Sequence, residues 1–489
     1  MNLDVVIVGG GIAGLATAYE LSRQNVSFVV LERAPRAGGV ILSEEEDGYT
    51  IDGGPDSLLT QKPEGIQLCE EIGLGPRLVA TKPPRLAYIQ RAGRLHALPA
   101  ASVLGIPTRL GPFLRTRLFS WPGKLRMGAE LFVPALRDDR DESIGAFMTR
   151  RFGREATQYL AEPLLAGIHA GDVDRLSIRA LFPRLVRAER THGSLLRAFR
   201  KPNPGSPAPD PGGVFRSLPG GLSEMVRALV RAIGEPHVRT NAAVTAISAS
   251  ARQPSENELR RDRQPLALDP SRAASPPGCF TVETAQGATF GARALVLATP
   301  AYTTGAFLRD WDGELARLCH EVPYASSATV VLAFRHDAVA HPLNGSGFVV
   351  PRVERSGILA ASWLSSKWPH RAPGDRVLLR TFVGGARDPR ALERSDAELV
   401  QQSLNALGPL LGIAGEPLFT RVYRWERASA QHEVGHLDRM AAIDRLVARR
   451  PGLYVTGSGF RGVGIPDCIA DGRATARHVS QWLAESSVL

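Results

Sequence analysis

Cysteine is scarce: four residues in 489, at positions 69, 279, 319 and 468. None stands in a Cys-x-x-Cys pair, so neither a disulfide framework nor a thiolate metal site is expected, and the thiols read as reduced and mostly buried. Aromatic residues make up only 6% of the chain. No stretch interleaves them regularly with basic residues, which argues against a nucleic-acid surface. No apolar run reaches about 18 residues, the length a spanning helix needs. The chain opens on a core-like apolar run, which leaves no room for a signal peptide and, with the thiols, predicts a cytoplasmic protein. Gly-x-Ser-x-Gly and Walker-type loops are missing as well.

What is present begins at the first residues. Leu3-Asp4-Val5-Val6-Ile7-Val8 is a β-branched run suited to a strand buried on both faces. Gly9-Gly10-Gly11-Ile12-Ala13-Gly14 follows, and Leu15 to Leu21 continues as a helix. This is G-x-G-x-x-G in its strand–turn–helix setting. Gly9 allows the tight turn, Gly11 allows the backbone to approach a pyrophosphate, and Gly14 allows the helix to pack on the strand. A second strand, Ser27 to Leu31, ends in Glu32. A carboxylate there accepts hydrogen bonds from a ribose and repels a 2′-phosphate, which favours NAD or FAD over NADP. Two further glycine pairs, Gly38-Gly39 and Gly53-Gly54, suit the longer FAD, whose flavin end needs more close backbone approaches. Read alone, each pair is an ordinary turn.

Lys and Arg exceed Asp and Glu by 59 to 49, which favours anionic partners such as acidic lipid or a carboxylate-bearing substrate. The length has room for two to four packed units. Residues 60–80 read as one helix, carried by Glu64 to Ile72 and stopped by Gly73. From Arg85 to about Arg200, cations are dense and apolar residues recur at helical spacing, with Pro99, Pro107, Pro112 and Pro122 cutting the first part into short helices. Leu110 to Trp121, with Lys124 and Arg126, suits equally a helix on an anionic membrane surface and a solvated basic face. Gly167-Ile168-His169-Ala170-Gly171-Asp172 is a turn between helices.

Residues 201–213 read as a linker, and Ser223 as the N-cap of the next helix. Val238 to Ile247 and Cys279 to Thr284 read as hairpin partners around a disordered loop at 251–278. Four apolar strands between 324 and 384 predict one antiparallel sheet, a wall for a substrate cavity. Gly452 to Ile469 repeats the strand–glycine–helix pattern of the start, so both chain ends are expected at one cofactor, with a helix N-terminus near the flavin. His432-Glu433-Val434-Gly435-His436 matches the zinc-protease pattern. That chemistry needs both histidines on one helix, and Gly435 and the aperiodic sequence before it argue against one, so no metal is expected.

The expected fold is therefore α/β: a Rossmann-like FAD-binding domain with a mixed-sheet substrate domain and an inserted helical domain. The expected boundaries are 1–80, 211–300 and 421–489 for the FAD-binding parts, 81–210 for the helical domain and 301–420 for the substrate domain.

Together these residues resemble the oxygen-dependent porphyrinogen oxidases, FAD enzymes of haem synthesis related to amine oxidases and phytoene desaturases. The most specific pieces are Gly54-Pro55-Asp56-Ser57-Leu58, Leu95-His96-Ala97-Leu98-Pro99, Gly167 to Asp172, Lys367-Trp368-Pro369-His370, Gly435-His436 and Gly462 to Ile469. The resemblance places FAD contacts on Gly9, Gly10, Gly11, Ile12, Ala13, Gly14, Glu32, Arg33, Gly39, Val40, Gly53, Gly54, Pro55, Asp56, Val244, Trp425, Val463, Gly464 and Ile465. It places substrate contacts on Asp56, Lys62, Arg85, Gly347, Val349 and Phe382, with Phe382 and Val349 sandwiching the tetrapyrrole and Arg85 pairing with a propionate. Asp56 stands where the protoporphyrinogen type commonly has asparagine, and Asp56 and Lys62 both match the coproporphyrinogen type. Amine oxidases usually show an aromatic pair facing the flavin, which Trp425 alone does not supply. The implied reaction removes six electrons from a porphyrinogen, with molecular oxygen as acceptor and no side chain assigned as base. Oligomeric state and any peripheral contact at the inner membrane face stay open.

Overall fold

The structure, a computed structural model, describes residues 2–99, 102–103, 106–107, 110–136, 138–200, 210, 212–249 and 280–486. The chain packs as two units, one of Met1–Gly39, Val226–Glu321 and Met440–Leu489, the other of Val40–Met225 and Val322–Arg439. The loop expected to be disordered at 251–278, and most of the linker expected at 201–213, lie outside the described residues.

In the first unit the strand Asn2–Val8 pairs in parallel with Phe28–Leu31 on one side and Thr289–Leu297 on the other. Val5, Val6 and Ile7 are fully buried, as a β-branched run covered on both faces should be. Val238–Arg239 extends the sheet beyond Phe28–Leu31. The strand Thr289–Leu297 is long enough to take two partners along its other edge. Its first half pairs antiparallel with Phe280–Thr284, and its last three residues pair in parallel with Leu453–Val455. Phe280–Thr284 pairs in turn with Val244–Ala249, the expected hairpin, but Val238–Arg239, expected in the same strand, pairs instead at the opposite edge of the sheet.

The helix Ile12–Ser22 connects Asn2–Val8 to Phe28–Leu31, and the helix Ile465–Glu485 lies against it. Small residues bring the two backbones together: a Cβ on Gly472 would stand 2.4 Å from the Ala13 carbonyl oxygen. The Thr17 hydroxyl bonds both the Ala13 and Gly472 carbonyls, at 2.9 and 3.0 Å. The two ends of the chain thus share one core.

The second unit is built on a seven-stranded sheet in the order 419–430, 324–335, 376–384, 360–363, 347–349, 88–91 and 94–97. Neighbours are antiparallel except Gly347–Val349 beside Tyr88–Arg91. The four expected strands are its centre, and the sheet is mixed and larger than the pattern suggested. Strands alternate strictly between faces. One face, with Val330, Leu332, Phe334 and Leu379, packs under the helix Asp396–Leu411. That helix starts in a capping box of Ser395 and Glu398 and ends at the left-handed Gly412. The other face, with Val331, Ala333 and Leu378, meets Tyr49, Ile51 and Trp368.

Three local expectations change. Tyr88–Arg91 and Arg94–Ala97 form a hairpin rather than helices, because Ala92 and Gly93 take the left-handed conformations of a tight turn. The first helix of that stretch is Leu110–Arg115. The helix at 64 runs Glu64–Glu71, with Gly73 left-handed beyond it. Ser223 opens its helix, but its hydroxyl accepts from the Ser43 amide at 2.6 Å.

Cys69, Cys319 and Cys468 are buried and none is in a disulfide. Burial pushes the Cys69 and Cys319 thiols up to about 12, far above the range in which a thiolate forms at neutral pH. Native protein at pH 8 should therefore leave both unmodified by an aromatic disulfide reagent over an hour, with complete reaction in guanidinium. Peptide mapping of labelled cysteines checks this.

Candidate active site

In the first unit the glycine turn has the geometry its sequence implies. Gly11 caps the helix Ile12–Ser22 in an extended conformation and supplies no side-chain acceptor. The first-turn amides therefore have no side-chain cap and no intrahelical partner, a site suited to a phosphate. A Cβ on Gly11 would meet nothing within 4 Å, whereas one on Gly14 would stand 2.0 Å from the Gly9 carbonyl oxygen. Gly14 is thus fixed by helix–strand packing, and Gly11 is free of the protein's own demands. Glu32 ends its strand beside this turn. Its carboxylate accepts from the Gly10 amide at 2.7 Å and the Ala34 amide at 2.8 Å, which leaves each oxygen a second lone pair for a ribose hydroxyl.

Other expected contacts gather here. The Gly38 amide donates to the Gly10 carbonyl at 2.8 Å, and a Cβ on Gly39 would lie 3.5 Å from the Gly11 Cα. The second glycine pair closes onto the first. Residues 241–242, just before Val244, bond the backbone of Glu32 and Ala34. Arg33 is exposed. At the other end of the chain, Val463, Gly464 and Ile465 open the last helix with Gly464 as its uncapped N-terminus. The turn before that helix includes Gly457, where a Cβ would lie 4.0 Å from Ala13 Cβ. These features fit the adenosine diphosphate part of FAD.

In the second unit, Gly53, Gly54, Pro55 and Asp56 follow the strand Tyr49–Asp52 along the sheet face that Tyr49 and Ile51 cover. The Gly53 carbonyl accepts from Thr329 Oγ1 at 2.7 Å and Trp425 Nε1 at 3.0 Å. Tyr423 sits under the same residue: a Cβ on Gly53 would stand 2.7 Å from its ring, and one on Gly54 1.9 Å from the Val40 carbonyl oxygen. Both glycines are therefore demanded by the protein's own packing. Trp425 is not alone at this turn, since Tyr423 lies on the same strand face. Tyr423 donates its hydroxyl to Glu44 at 2.5 Å. Burial and that carboxylate push the phenol upward, so it stays a neutral donor.

Cross-strand register aligns the next residues. Tyr423 pairs with Thr329, Thr329 with Phe382, Phe382 with Ala360, Ala360 with Val349 and Val349 with Ile89. Directly paired residues share a face, so Phe382 and Val349 project from the same face as Gly53's supports. They are two strands apart, about 10 Å, enough for a flat ring standing between them. Gly347 follows in the adjacent row with φ +131°, and a Cβ there would stand 2.1 Å from the Ala361 carbonyl oxygen. Arg85 is exposed, its Nε donating to Thr81 at 3.1 Å. Lys62 is exposed too.

Asp56 is placed differently from a free ligand group. Its Oδ2 accepts from Lys367 Nζ at 2.7 Å and Trp368 Nε1 at 2.8 Å, and its Oδ1 from Arg380 at 3.1 Å. Burial opposes its ionisation, but Lys367 and Arg380 outweigh that and hold the carboxyl well below the usual range. Asp52 pairs with Arg371 at 3.0 Å, and Arg371 also ties Leu218, Pro219 and Ser217. Arg380 bonds the Asp52 and Gly54 carbonyls at 2.7 and 2.6 Å. Sequence reasoning passed over Arg371 and Arg380. Its missed signal was a charge inside the apolar run Val377 to Val383.

His432 and His436 stack face to face, ring centroids 3.8 Å apart. Only His436 lies on a helix, His436–Val447, because Gly435 is left-handed at φ +87°. The helical pair that the zinc-protease pattern requires does not form.

A largely parallel sheet with a glycine turn, a glutamate beside that turn and an uncapped terminal helix in the first unit, and a mixed sheet in the second, fit a flavoprotein oxidoreductase. The profile of flavin-containing amine oxidoreductases matches residues 12–480, and the chain belongs to that family. It is similar to coproporphyrinogen III oxidase of Bacillus subtilis (strain 168), 34% identical over 98% of both chains. It is also similar to the chloroplastic protoporphyrinogen oxidase of Nicotiana tabacum, 28% identical over 99% of this chain and 86% of that one. A solved Exiguobacterium sp. 255-15 structure, provisionally named a protoporphyrinogen oxidase, superposes with a TM-score of 0.82 at 31% identity, covering 98% of this chain and 99% of that one. The protein is an FAD-dependent oxidase, as its resemblance implied.

Proposed function

We propose that this enzyme oxidises coproporphyrinogen III to coproporphyrin III in haem synthesis, consuming three molecules of oxygen and releasing three of hydrogen peroxide. The observation that carries the reading is the full-length match to a coproporphyrinogen oxidase at higher identity than to the protoporphyrinogen enzyme. FAD, when bound, supplies a two-electron acceptor that oxygen re-oxidises. The unit-1 residues Gly9 to Gly14, Glu32, Arg33, Gly39, Val244 and Val463 to Ile465 would hold that cofactor. The family resemblance adds Val40, Gly53 to Asp56 and Trp425 as residues that would contact it.

Phe382 and Val349 grip the macrocycle on that sheet face, and Gly347 keeps the adjoining row flat. Arg85 and Lys62, exposed and cationic, suit propionates, of which coproporphyrinogen carries four and protoporphyrinogen two. Asp56 acts through the loop it anchors, since its carboxylate is taken by Lys367, Trp368 and Arg380. Aromatisation drives loss of the pyrrole protons, so positioning and water exclusion are the protein's share.

Side-by-side assays of the two porphyrinogens, read by porphyrin fluorescence, test the substrate. Coproporphyrinogen should give at least a tenfold higher kcat/KM. Equal rates, or preference for protoporphyrinogen, would sink that choice; no porphyrin from either would sink the activity.

We also propose cytoplasmic residence with peripheral membrane contact. No helix among the described residues is long and apolar enough to cross a membrane. Trp121 and Leu125, one turn apart on the helix Trp121–Gly128, are 64% and 73% exposed, with Lys124 over the Trp121 ring. Such a helix suits an anionic interface. Co-sedimentation with phosphatidylglycerol vesicles should fall at least fivefold in a Trp121→Ser/Leu125→Ser variant. Equal pelleting of variant and parent, or none of either, would refute the contact.

A further inference from the structure

Five ionisable side chains are buried together beneath the Gly53–Asp56 turn: Asp52 and Asp56 against Lys367, Arg371 and Arg380. Two carboxylates face three cations, so the cluster holds one positive charge in surplus, and a proton on Asp52 would only enlarge it. Matching the carboxylates does not need the third cation. Asp56 already has Lys367 and the Trp368 indole, and Asp52 has Arg371 and the Ser43 hydroxyl at 2.7 Å. An unmatched buried cation opposes folding.

Arg380 is the extra one. It is 1% exposed and comes from the middle of an apolar strand. It spends its Nη atoms on the Asp52 and Gly54 carbonyls and on Asp56. Its Nε finds no acceptor among the described residues. Its guanidinium lies 4.7 Å from the Phe382 ring centroid, two residues along on the same strand face. One side chain thus touches both the glycine turn and the aromatic wall of the site.

We propose that Arg380 is a positioning residue that also sets the cofactor's affinity for electrons. It fixes the turn and Phe382, and its surplus buried charge favours the reduced, electron-rich form of FAD. A preorganised charge in a low-dielectric site acts strongly because nothing reorganises to screen it. The inference rests on Gly53 to Asp56 being FAD contacts, as proposed above.

The test is the midpoint potential of the FAD-loaded enzyme, measured anaerobically against reference dyes without any porphyrinogen. Arg380→Met should lower the two-electron equilibrium constant at least tenfold, about 30 mV. Arg380→Lys, which keeps the charge and loses the fork, should restore more than half of that shift. Lys367→Met removes one cation of the same cluster and should lower the potential in the same direction, which keeps the test open if Arg380→Met does not retain FAD. A potential unmoved in the methionine variants overturns the proposal. So does a lysine variant that shifts as far as Arg380→Met, since geometry alone would then be the cause. Failure to oxidise coproporphyrinogen would overturn the substrate reading and leave this one standing.

Discussion

Gly14→Val should yield protein without yellow colour. The Cβ alone would stand 2.0 Å from the Gly9 carbonyl oxygen and 3.1 Å from Ala298 Cβ. A real contact needs over 3 Å, so the helix Ile12–Ser22 must retreat by about 1 Å. It has nowhere to go, because Gly472 and Ala13 already touch on its far side. The first-turn amides would then miss a pyrophosphate, and about 3 kcal/mol of lost binding is more than a hundredfold in affinity. Gly11→Ala is the informative contrast. Its Cβ meets no protein atom within 4 Å, so thermal stability of the apoprotein should hold while FAD retention still falls. Both are read from the ratio of flavin to protein absorbance after gel filtration. A Gly14→Val protein that keeps a full complement of FAD would refute this account of the turn.

Arg151→Met should destabilise the second unit by about 3–5 kcal/mol, because it strands a buried carboxylate. Arg151 and Glu130 are both fully buried and paired. Arg151 also bonds the Val133 carbonyl at 2.9 Å and the Gly193 carbonyl at 3.0 Å. Glu130 in turn accepts from the amides of Leu195 at 2.8 Å and Leu196 at 3.3 Å, capping the helix Leu195–Arg200 from a distance. A Glu130→Met/Arg151→Met double variant should recover part of the loss and not all, since the helix cap, worth about 1 kcal/mol, goes with the glutamate. Urea unfolding followed by tryptophan fluorescence measures the series. A single variant within 1 kcal/mol of the parent would show that the pair carries little.

The dinucleotide half was legible because its chemistry is local. Strand, turn, helix and glutamate follow within about thirty residues, and Gly9 and Gly14 each answer a close backbone while Gly11 leaves room for a ligand. The terminal strand–glycine–helix unit was legible by its likeness to the first. The second unit was less so. A row such as Tyr423, Thr329, Phe382, Ala360 and Val349 comes from register between strands far apart in sequence, which no periodicity encodes. Asp56 looked like a ligand group because its partners, Lys367 and Arg380, lie some three hundred positions away. Tyr88–Arg91 read as helical because cations masked a four-residue strand closed by an Ala-Gly turn.

The Thr17–Gly472 bond joins residues 455 positions apart. At about 5–20 residues per second on a ribosome, the opening strand and its helix leave the tunnel on the order of half a minute before the partner that seals them is made. Through that interval Val5 to Val8 has no finished sheet to join. The dinucleotide core is therefore complete only once the last helix has been made, so its closure is a late, non-local event.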